Sequence, residues 1–361
     1  MLYIEELTGS SVRNLKKFNI KTNPLLNFFY GANASGKTSI LESIYLLSRL
    51  KSFRSKRITD VITKGDTSLL VSAKGKQKDK LFSVGVEKGR GITRIKFNNK
   101  KVKTASEQVK KLPIYLLTPE HNILFIGSPR ERRRWMDWSL FHVEQTYLET
   151  WKNYHRALRH RNILLKDVRF DNSSEVIAWE KQITQEAEKI DFMREKYIGE
   201  LNTTLNKKHL PAVLPGDARI VYLKNDYGKK GLADMLIKNR KNDAKKGYTS
   251  FGPHRSDVLF YYQDIKVEKH LSRGQIKLFA ASLVSAQLEK LKKKGGTPIM
   301  LVDDLSAELD EKASEKMLSL LLANKIQTFV TSIKPPKKQK RLNENIAVFH
   351  VKHGAIKNVK I

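Results

Sequence analysis

Apolar residues fall into short unbroken runs towards both ends of the chain and into helical spacing through its middle. Leu25-Leu26-Asn27-Phe28-Phe29-Tyr30 is a mostly apolar run that stops at Gly31, the pattern of a buried strand. From Thr38 to about Leu50 the apolar positions Ile40, Leu41, Ile44, Leu47 and Leu50 recur at helical spacing. Glycine-punctuated alternating segments follow, Leu69 to Val71, Leu81 to Val86 and Ile92 to Phe97, and read as antiparallel strands and hairpins. Leu112 to Leu117 reads as a further strand. Residues from about 130 to 207 contain almost no Gly or Pro and read as helical, with no sustained heptad that would support a long coiled-coil arm. Pro211, Pro215 and Gly216 mark an exit, after which helices and strands alternate again. Pro298 to Val302 and Gln327 to Val330 are the clearest buried strands of that last part.

Composition changes the picture through charge. The 361 residues carry 69 Lys and Arg against 37 Asp and Glu, 69 − 37 = +32. A surplus of that size repels itself in the compact state and attracts polyanions, with nucleic acid ahead of an anionic membrane surface. There is no cysteine, which excludes disulfides, thiolate chemistry and cysteine-ligated metal sites. No stretch approaches the roughly 18 apolar residues of a membrane span, and Met1 to Glu6 lacks the basic start and apolar stretch of a signal peptide. The expectation is a cytoplasmic protein with no membrane partner.

The first candidate chemistry is a phosphate loop. Gly31-Ala32-Asn33-Ala34-Ser35-Gly36-Lys37-Thr38 fits GxxxxGKT, with a strand before it and an amphipathic helix after it. Gly31 and Gly36 let the backbone wrap a phosphate with its N–H groups inward, and the helix beginning near Lys37 adds its positive end. Lys37 is expected to reach the β- and γ-phosphates of ATP, and the Thr38 hydroxyl to bind Mg²⁺.

That loop alone leaves kinases, GTPases and ABC-type ATPases open. Pro298 to Val302 delivers Asp303-Asp304 at the end of an apolar strand, a Walker B arrangement. Asp303 is expected to hold Mg²⁺, and Asp304 to orient and polarise the attacking water. Leu271-Ser272-Arg273-Gly274-Gln275 opens a helix and resembles the LSGGQ signature of ABC ATPases, with Arg273 in place of the first glycine. The resemblance implies that Ser272 and Gly274 bind the γ-phosphate held by a second copy. Ser306-Ala307-Glu308-Leu309-Asp310 resembles the ABC D-loop, which lies at the dimer interface. The predicted fold is therefore α/β: an ABC-type P-loop ATPase head, a mixed sheet around the P-loop helix, with a second, mainly helical lobe. Its expected divisions are an ATPase lobe over 1–120, an arginine-rich helical lobe over 121–215, and residues 216–361 completing the head.

Several further segments resemble the RecF family of bacterial recombinational repair proteins. Val12-Arg13-Asn14 matches the family's FRN element apart from Val12, and Ser52-Phe53-Arg54 follows the Walker A helix. Gly127-Ser128-Pro129-Arg130-Glu131-Arg132-Arg133-Arg134-Trp135-Met136-Asp137-Trp138, Phe141-His142, Tyr154 to Asn162 and Gly252-Pro253-His254-Arg255-Ser256-Asp257 continue the match in the family's order. The resemblance implies a weak ATPase working as an ATP-dependent homodimer on single- and double-stranded DNA. It also implies work with RecR and RecO to load RecA at gaps, in DNA repair, replication and SOS induction. Asp304 stands where transporter heads carry Glu, one methylene longer, which points to slow hydrolysis. Thr331-Ser332 stands in place of the transporters' switch histidine, and Thr118-Pro119-Glu120-His121 holds no Gln at the Q-loop position.

For DNA, the expected contacts are Arg130, Arg132, Arg133, Arg156, Arg159 and Arg161, since guanidinium groups fit phosphates. Trp138, Phe141 and Tyr154 are expected to serve as apolar anchors. The runs Lys229-Lys230, Lys245-Lys246 and Lys337-Lys338-Gln339-Lys340-Arg341 are either further contacts or solvated loops. The main rival is the ATPase subunit of a membrane transporter. A chromosome protein of the SMC or Rad50 kind would need a long coiled coil, and a phosphotransferase would have no use for a signature and D-loop.

Overall fold

The computed structural model describes residues 1–166, 173–336 and 346–359. The Lys337–Arg341 basic run lies outside them. The chain folds into two compact units.

The first unit begins with β1 (Leu2–Val12), β2 (Leu15–Lys21) and β3 (Leu26–Tyr30), then α1 (Lys37–Arg49). It continues through β4 (Ser68–Gln77), β5 (Lys80–Gly89), β6 (Thr93–Phe97), β7 (Lys100–Lys101), α2 (Ala105–Lys111) and β8 (Ile114–Leu117). The second unit holds α3 (Asn122–Ile126), α4 (Pro129–Val143), α5 (Tyr147–Leu164) and α6 (Ser174–Thr204). It also holds β9 (Ala218–Leu223), α7 (Gly231–Lys238), α8 (Arg240–Lys246), β10 (Asp257–Tyr262), β11 (Ile265–Lys266) and α9 (Val267–His270). The chain then returns to the first unit with α10 (Arg273–Lys293), β12 (Ile299–Val302), α11 (Glu311–Leu322), β13 (Thr328–Ser332), β14 (Ile346–Lys352) and β15 (Ala355–Val359).

Two six-stranded sheets make the frame of the first unit. One is antiparallel, in the order β2-β1-β4-β5-β6-β7. The other runs β15-β14-β3-β13-β12-β8, parallel throughout except for β15 at its edge. The central strands of the second sheet are the continuous apolar runs of the sequence; β12 is buried at every position, as a strand covered on both faces must be. Helix α1 shares one hydrophobic core with both sheets: Ile40, Leu41, Ile44 and Leu47 are inaccessible and join Leu7, Val71, Leu301 and Phe329. At the bulge in β1, Ile4 donates its N–H to Oε1 of Gln327 at 2.8 Å and accepts from Nε2 at 2.7 Å. The buried amide thus satisfies backbone groups of Ile4 that lie beyond the end of the β1–β2 pairing, which starts at Glu6.

In the second unit, α5 and α6 pack against each other, and β9, β10 and β11 form a small antiparallel sheet. This unit runs on to Ser272 and includes residues 215–272, so it extends beyond the division expected at 215/216 and carries strands as well as helices. Its helices bury apolar residues such as Leu140, Tyr154, Ile183, Ile190 and Leu201, and ion pairs are set among them in the interior. Arg161, inaccessible to solvent, donates to Glu180 at 3.0 Å, Asp243 at 2.8 Å, Thr249 at 2.8 Å and the carbonyl of Leu236 at 2.9 Å. Arg194 does the same for Asp137, the Pro253 carbonyl and the Ser256 hydroxyl. No helix among the described residues is long and apolar enough to cross a membrane.

Candidate nucleotide site

The site forms where β3, β12 and β13 end side by side, because a parallel sheet delivers all its carboxyl-terminal ends to one edge. Strand β3 runs into Gly31, and the loop turns through Ala34 (φ 61°) and Gly36 (φ 114°) before α1 begins at Lys37. Gly31 is required by close approach: a Cβ there would lie 2.2 Å from the carbonyl of Val351 on β14. The loop is braced from outside. Asn14 donates Nδ2 to the Ala34 carbonyl at 3.2 Å, and the Gly354 N–H donates to the Ser35 carbonyl at 2.9 Å. Arg13, next to Asn14, forks onto Glu42 of α1 with two bonds of 2.9 Å. The Arg-Asn pair of the FRN-like element is thus a support for the loop and its helix.

Lys37 lies folded over the loop, its Nζ donating to the carbonyls of Gly31 and Ala32 at 2.8 Å each. Burial lowers its pKa, opposed by the carboxylates of Asp304 and Asp303. Thr38 donates its hydroxyl to Oδ1 of Asp303 at 2.9 Å. Burial pushes the Asp303 carboxyl above its ordinary value, against the pull of hydroxyl donors from Thr331 and Thr38. The structure therefore brings together Gly31 to Thr38, Asp303 and Asp304, which the sequence placed more than 260 residues apart. Thr331 completes the group. Its hydroxyl donates to Oδ1 of Asp303 at 2.8 Å and accepts the N–H of Asp304 at 2.8 Å. It occupies the position of the missing switch histidine and orders both acids.

These residues fit a nucleotide with a hard cation. Thr38 and Asp303 present oxygen donors suited to Mg²⁺. Oδ1 of Asp304 and the hydroxyl of Ser35 in the phosphate loop are buried without any hydrogen-bond partner in the protein; such groups carry a large desolvation cost unless a ligand or water meets them.

The turn after β12 carries the D-loop. Asp310 caps α11 by accepting the Ala313 N–H at 2.7 Å. Gly274, in the second position of α10, packs so closely that a Cβ would stand 2.6 Å from the Glu308 carbonyl. Ser272 directly precedes α10. At the Q-loop position, Pro119–His121 forms a single 3₁₀ turn, and Asp303 donates its N–H to the Leu117 carbonyl just before it at 2.8 Å.

The arginine expectation is corrected in part. Arg161 sits in the buried network described above. Arg132 is buried and grips Asp257 through two 2.8 Å bonds and the Gly127 carbonyl through a third. Arg133 is half-buried and donates to the Ser256 carbonyl at 2.6 Å. Arg132 and Arg161 thus have their guanidinium groups committed to the interior, while Arg133 commits one donor to a carbonyl. Arg130, Arg156 and Arg159 are exposed. Tyr154 is the buried anchor expected, bonded to His254 at 2.6 Å, whereas Trp138 and Phe141 are only half-buried.

A mixed sheet ending at a glycine loop, a capped acid pair and a signature-type helix define the class: an ABC-type P-loop ATPase head. The family model for the RecF/RecN/SMC N terminal domain matches residues 3–357. The chain is 34% identical to the DNA replication and repair protein RecF of Nitrosococcus oceani, covering 99% of this chain and 100% of that one. It is also 34% identical to that of Shewanella loihica, covering 98% of each. In fold it is similar to a solved structure of the recombination mediator protein RecF with ATP in the RecFOR pathway (TM-score 0.86, 24% identity, 99% and 98% covered). It is similar also to an Smc head bound to a domain of ScpA (TM-score 0.59, 17% identity, 99% and 98% covered). The chain belongs to the RecF family. That full-length match displaces the transporter-subunit alternative.

Proposed function

We propose that this chain is an ATP-controlled DNA-binding repair protein that acts as a head-to-head homodimer. In this reading it binds single- and double-stranded DNA and, with RecR and RecO, assists RecA loading at gaps, in the cytoplasm. The observation that carries the reading is the assembled group of Lys37, Thr38, Asp303, Thr331 and Asp304 at one sheet edge. Its full-length similarity to DNA replication and repair proteins and its net charge of +32 support the DNA partner.

The chemistry follows from the residues. The N–H groups of the loop and the start of α1 receive the β- and γ-phosphates, and Lys37 exchanges its loop carbonyls for phosphate oxygens. Thr38 and Asp303 would hold Mg²⁺, which supplies charge neutralisation on the phosphates when bound. Asp304, held through its backbone by Thr331, presents a carboxylate that orients the attacking water. Aspartate reaches one methylene less far than glutamate, so hydrolysis is slow and serves as a switch. Ser272 and Gly274 close on the γ-phosphate of the opposite copy, a symmetric contact repeated at both sites.

Sedimentation velocity with ATP, with and without gapped DNA, tests the reading. The expected result is a monomer that becomes a dimer with ATP, and a dimer whose lifetime changes on gapped DNA. An ATP-loaded chain that stays monomeric at high concentration would overturn it.

A further inference from the structure

Lysine is among the residues least often buried without a carboxylate partner. Lys277, one turn into the signature helix α10, is 2% exposed, and its three donors all go to backbone oxygens. Nζ donates to the carbonyls of Asp304 at 2.6 Å, Leu305 at 3.1 Å and Ala307 at 2.8 Å. These are three carbonyls of the single turn that joins the Walker B strand to the D-loop. An ammonium with three hydrogen bonds fixes such a turn as no apolar side chain can, and charge-assisted bonds are the stronger kind.

The turn needs fixing because its first residue is in an uncommon conformation. Asp304 has φ 49°, in the left-handed region that non-glycine residues enter at a cost. Both poles of its backbone are held: the N–H donates to the Thr331 hydroxyl at 2.8 Å, and the carbonyl accepts from Lys277 at 2.6 Å. Its side chain is the opposite case, with Oδ1 buried and unpartnered in the protein. The backbone is pinned and the carboxylate is left for another group.

We infer that Lys277 is a positioning residue for ATP hydrolysis: its ammonium locks the Asp304–Ala307 turn onto the signature helix, and so sets the place from which the Asp304 carboxylate addresses the attacking water. This rests on the ATPase reading given above. The hydrogen bonds of Lys277 go to the Asp304–Ala307 turn, whereas Asn14, Lys37 and Gly354 bond to the phosphate loop. The loss of Lys277 is therefore expected in the chemical step and not in nucleotide affinity. The same turn of α10 carries Gly274 against the Glu308 carbonyl, so the lysine sits directly behind the contact between signature and D-loop.

The test uses the full chain in four forms: wild type, Lys277→Met, Asp304→Asn and the double variant. Each is assayed for binding of a fluorescent ATP analogue and for single-turnover hydrolysis, with thermal unfolding as a check on folding. The expected result for Lys277→Met is affinity within about threefold of wild type and hydrolysis at least about tenfold slower, the scale of a mispositioned catalytic group. In the Asp304→Asn background the same substitution is expected to cost less than about twofold, because residues acting as one unit are not additive. Wild-type hydrolysis in Lys277→Met, an equal loss of affinity and rate, or losses that multiply in the double variant would each overturn the inference while leaving the ATPase reading intact. A wild type that binds and hydrolyses no ATP would overturn that reading and the inference with it. Should Lys277→Met not fold, Lys277→Arg carries the same comparison, since it keeps the charge but displaces the donors. Slower hydrolysis at retained affinity supports the inference, and an unchanged rate overturns it.

Discussion

Thr331 and Asp303 are joined by a 2.8 Å hydrogen bond in which the threonine hydroxyl donates to the carboxylate, while the same hydroxyl accepts the N–H of Asp304 at equal length. One small side chain on β13 therefore orders both acids at the end of β12. Valine has the same shape without the hydroxyl, so Thr331→Val leaves the Asp304 N–H unpaired and releases Asp303. The expected outcome is a stability loss of about 1–3 kcal/mol in urea unfolding, the cost of an orphaned buried donor. Single-turnover hydrolysis is expected to fall at least about tenfold with ATP affinity largely kept. Hydrolysis at the wild-type rate would remove Thr331 from the site.

The dimer contact separates nucleotide binding from assembly. Lys37→Ala removes the ammonium that meets the phosphates, and the expected result is loss of both ATP binding and ATP-dependent dimerisation. Ser272→Arg puts a bulky cation into the signature while leaving the Walker A loop of the same chain untouched. The expected result is a monomer that still binds ATP. Equilibrium binding of a fluorescent ATP analogue beside sedimentation reads both quantities. A Ser272→Arg chain that dimerises normally would show that the signature does not bind in trans.

The parts of the site legible in the sequence are the local ones. A phosphate loop is defined by eight consecutive residues between a strand and a helix, and an acid pair closing an apolar strand carries its geometry in its neighbours. Thr331 and Lys277 act across 27 residues each to reach Asp304; the first does so because β13 lies parallel beside β12 with Val302 opposite Val330, the second because α10 carries its ammonium to the turn after β12. No spacing rule marks such a pair. The arginine-rich helices misled for a related reason. Arginine density on polar helices reads as surface, yet Arg132 and Arg161 find carboxylates 125 and 82 residues further on. The small β9–β10–β11 sheet places one of those carboxylates, Asp257, and its strands of six, six and two residues are short enough to be overlooked between helical segments.

Two histidines of the helical unit give it a defined acid response. Burial lowers the pKa of His254 to about 4 and that of His155 to about 4. His254 is neutral in the folded state, its Nε2 directed to the Thr249 carbonyl at 3.0 Å and its Nδ1 to the Tyr154 hydroxyl at 2.6 Å. The nearby cations Arg255 and Arg133 depress it further. An unfolded histidine titrates near about 6.5, so between that pH and about 4 the unfolded chain binds more protons. Stability is present in full above about pH 6.5 and is lost as the pH falls towards 4. Urea unfolding at a series of pH values should show this decline, with a shallower slope in His254→Gln than in wild type. Equal slopes in the two proteins would place the acid sensitivity elsewhere.

The division of the arginines into buried and exposed sets yields opposite phenotypes from chemically identical substitutions. Arg161→Ala leaves Asp243 without its cation in the interior, while Glu180 keeps Arg240 at 2.6 Å, and breaking a buried pair of this kind costs about 3–5 kcal/mol. Its expected effect is a large loss of stability. Arg156 and Arg159 lie three residues apart on α5, exposed and on one face, and Arg130 is exposed in the first turn of α4. Replacing them with Ala should leave unfolding within about 0.5 kcal/mol of wild type, as for most surface positions. Their loss appears instead in DNA affinity. Each phosphate contact removed lowers the slope of log K against log salt by about 0.9 for duplex DNA, so the triple variant should bind more weakly and with a flatter salt dependence. The two measurements together decide the point, because reduced affinity with an unchanged slope would mean that these arginines do not meet phosphate and that the cationic surface used by DNA lies on another face of the chain.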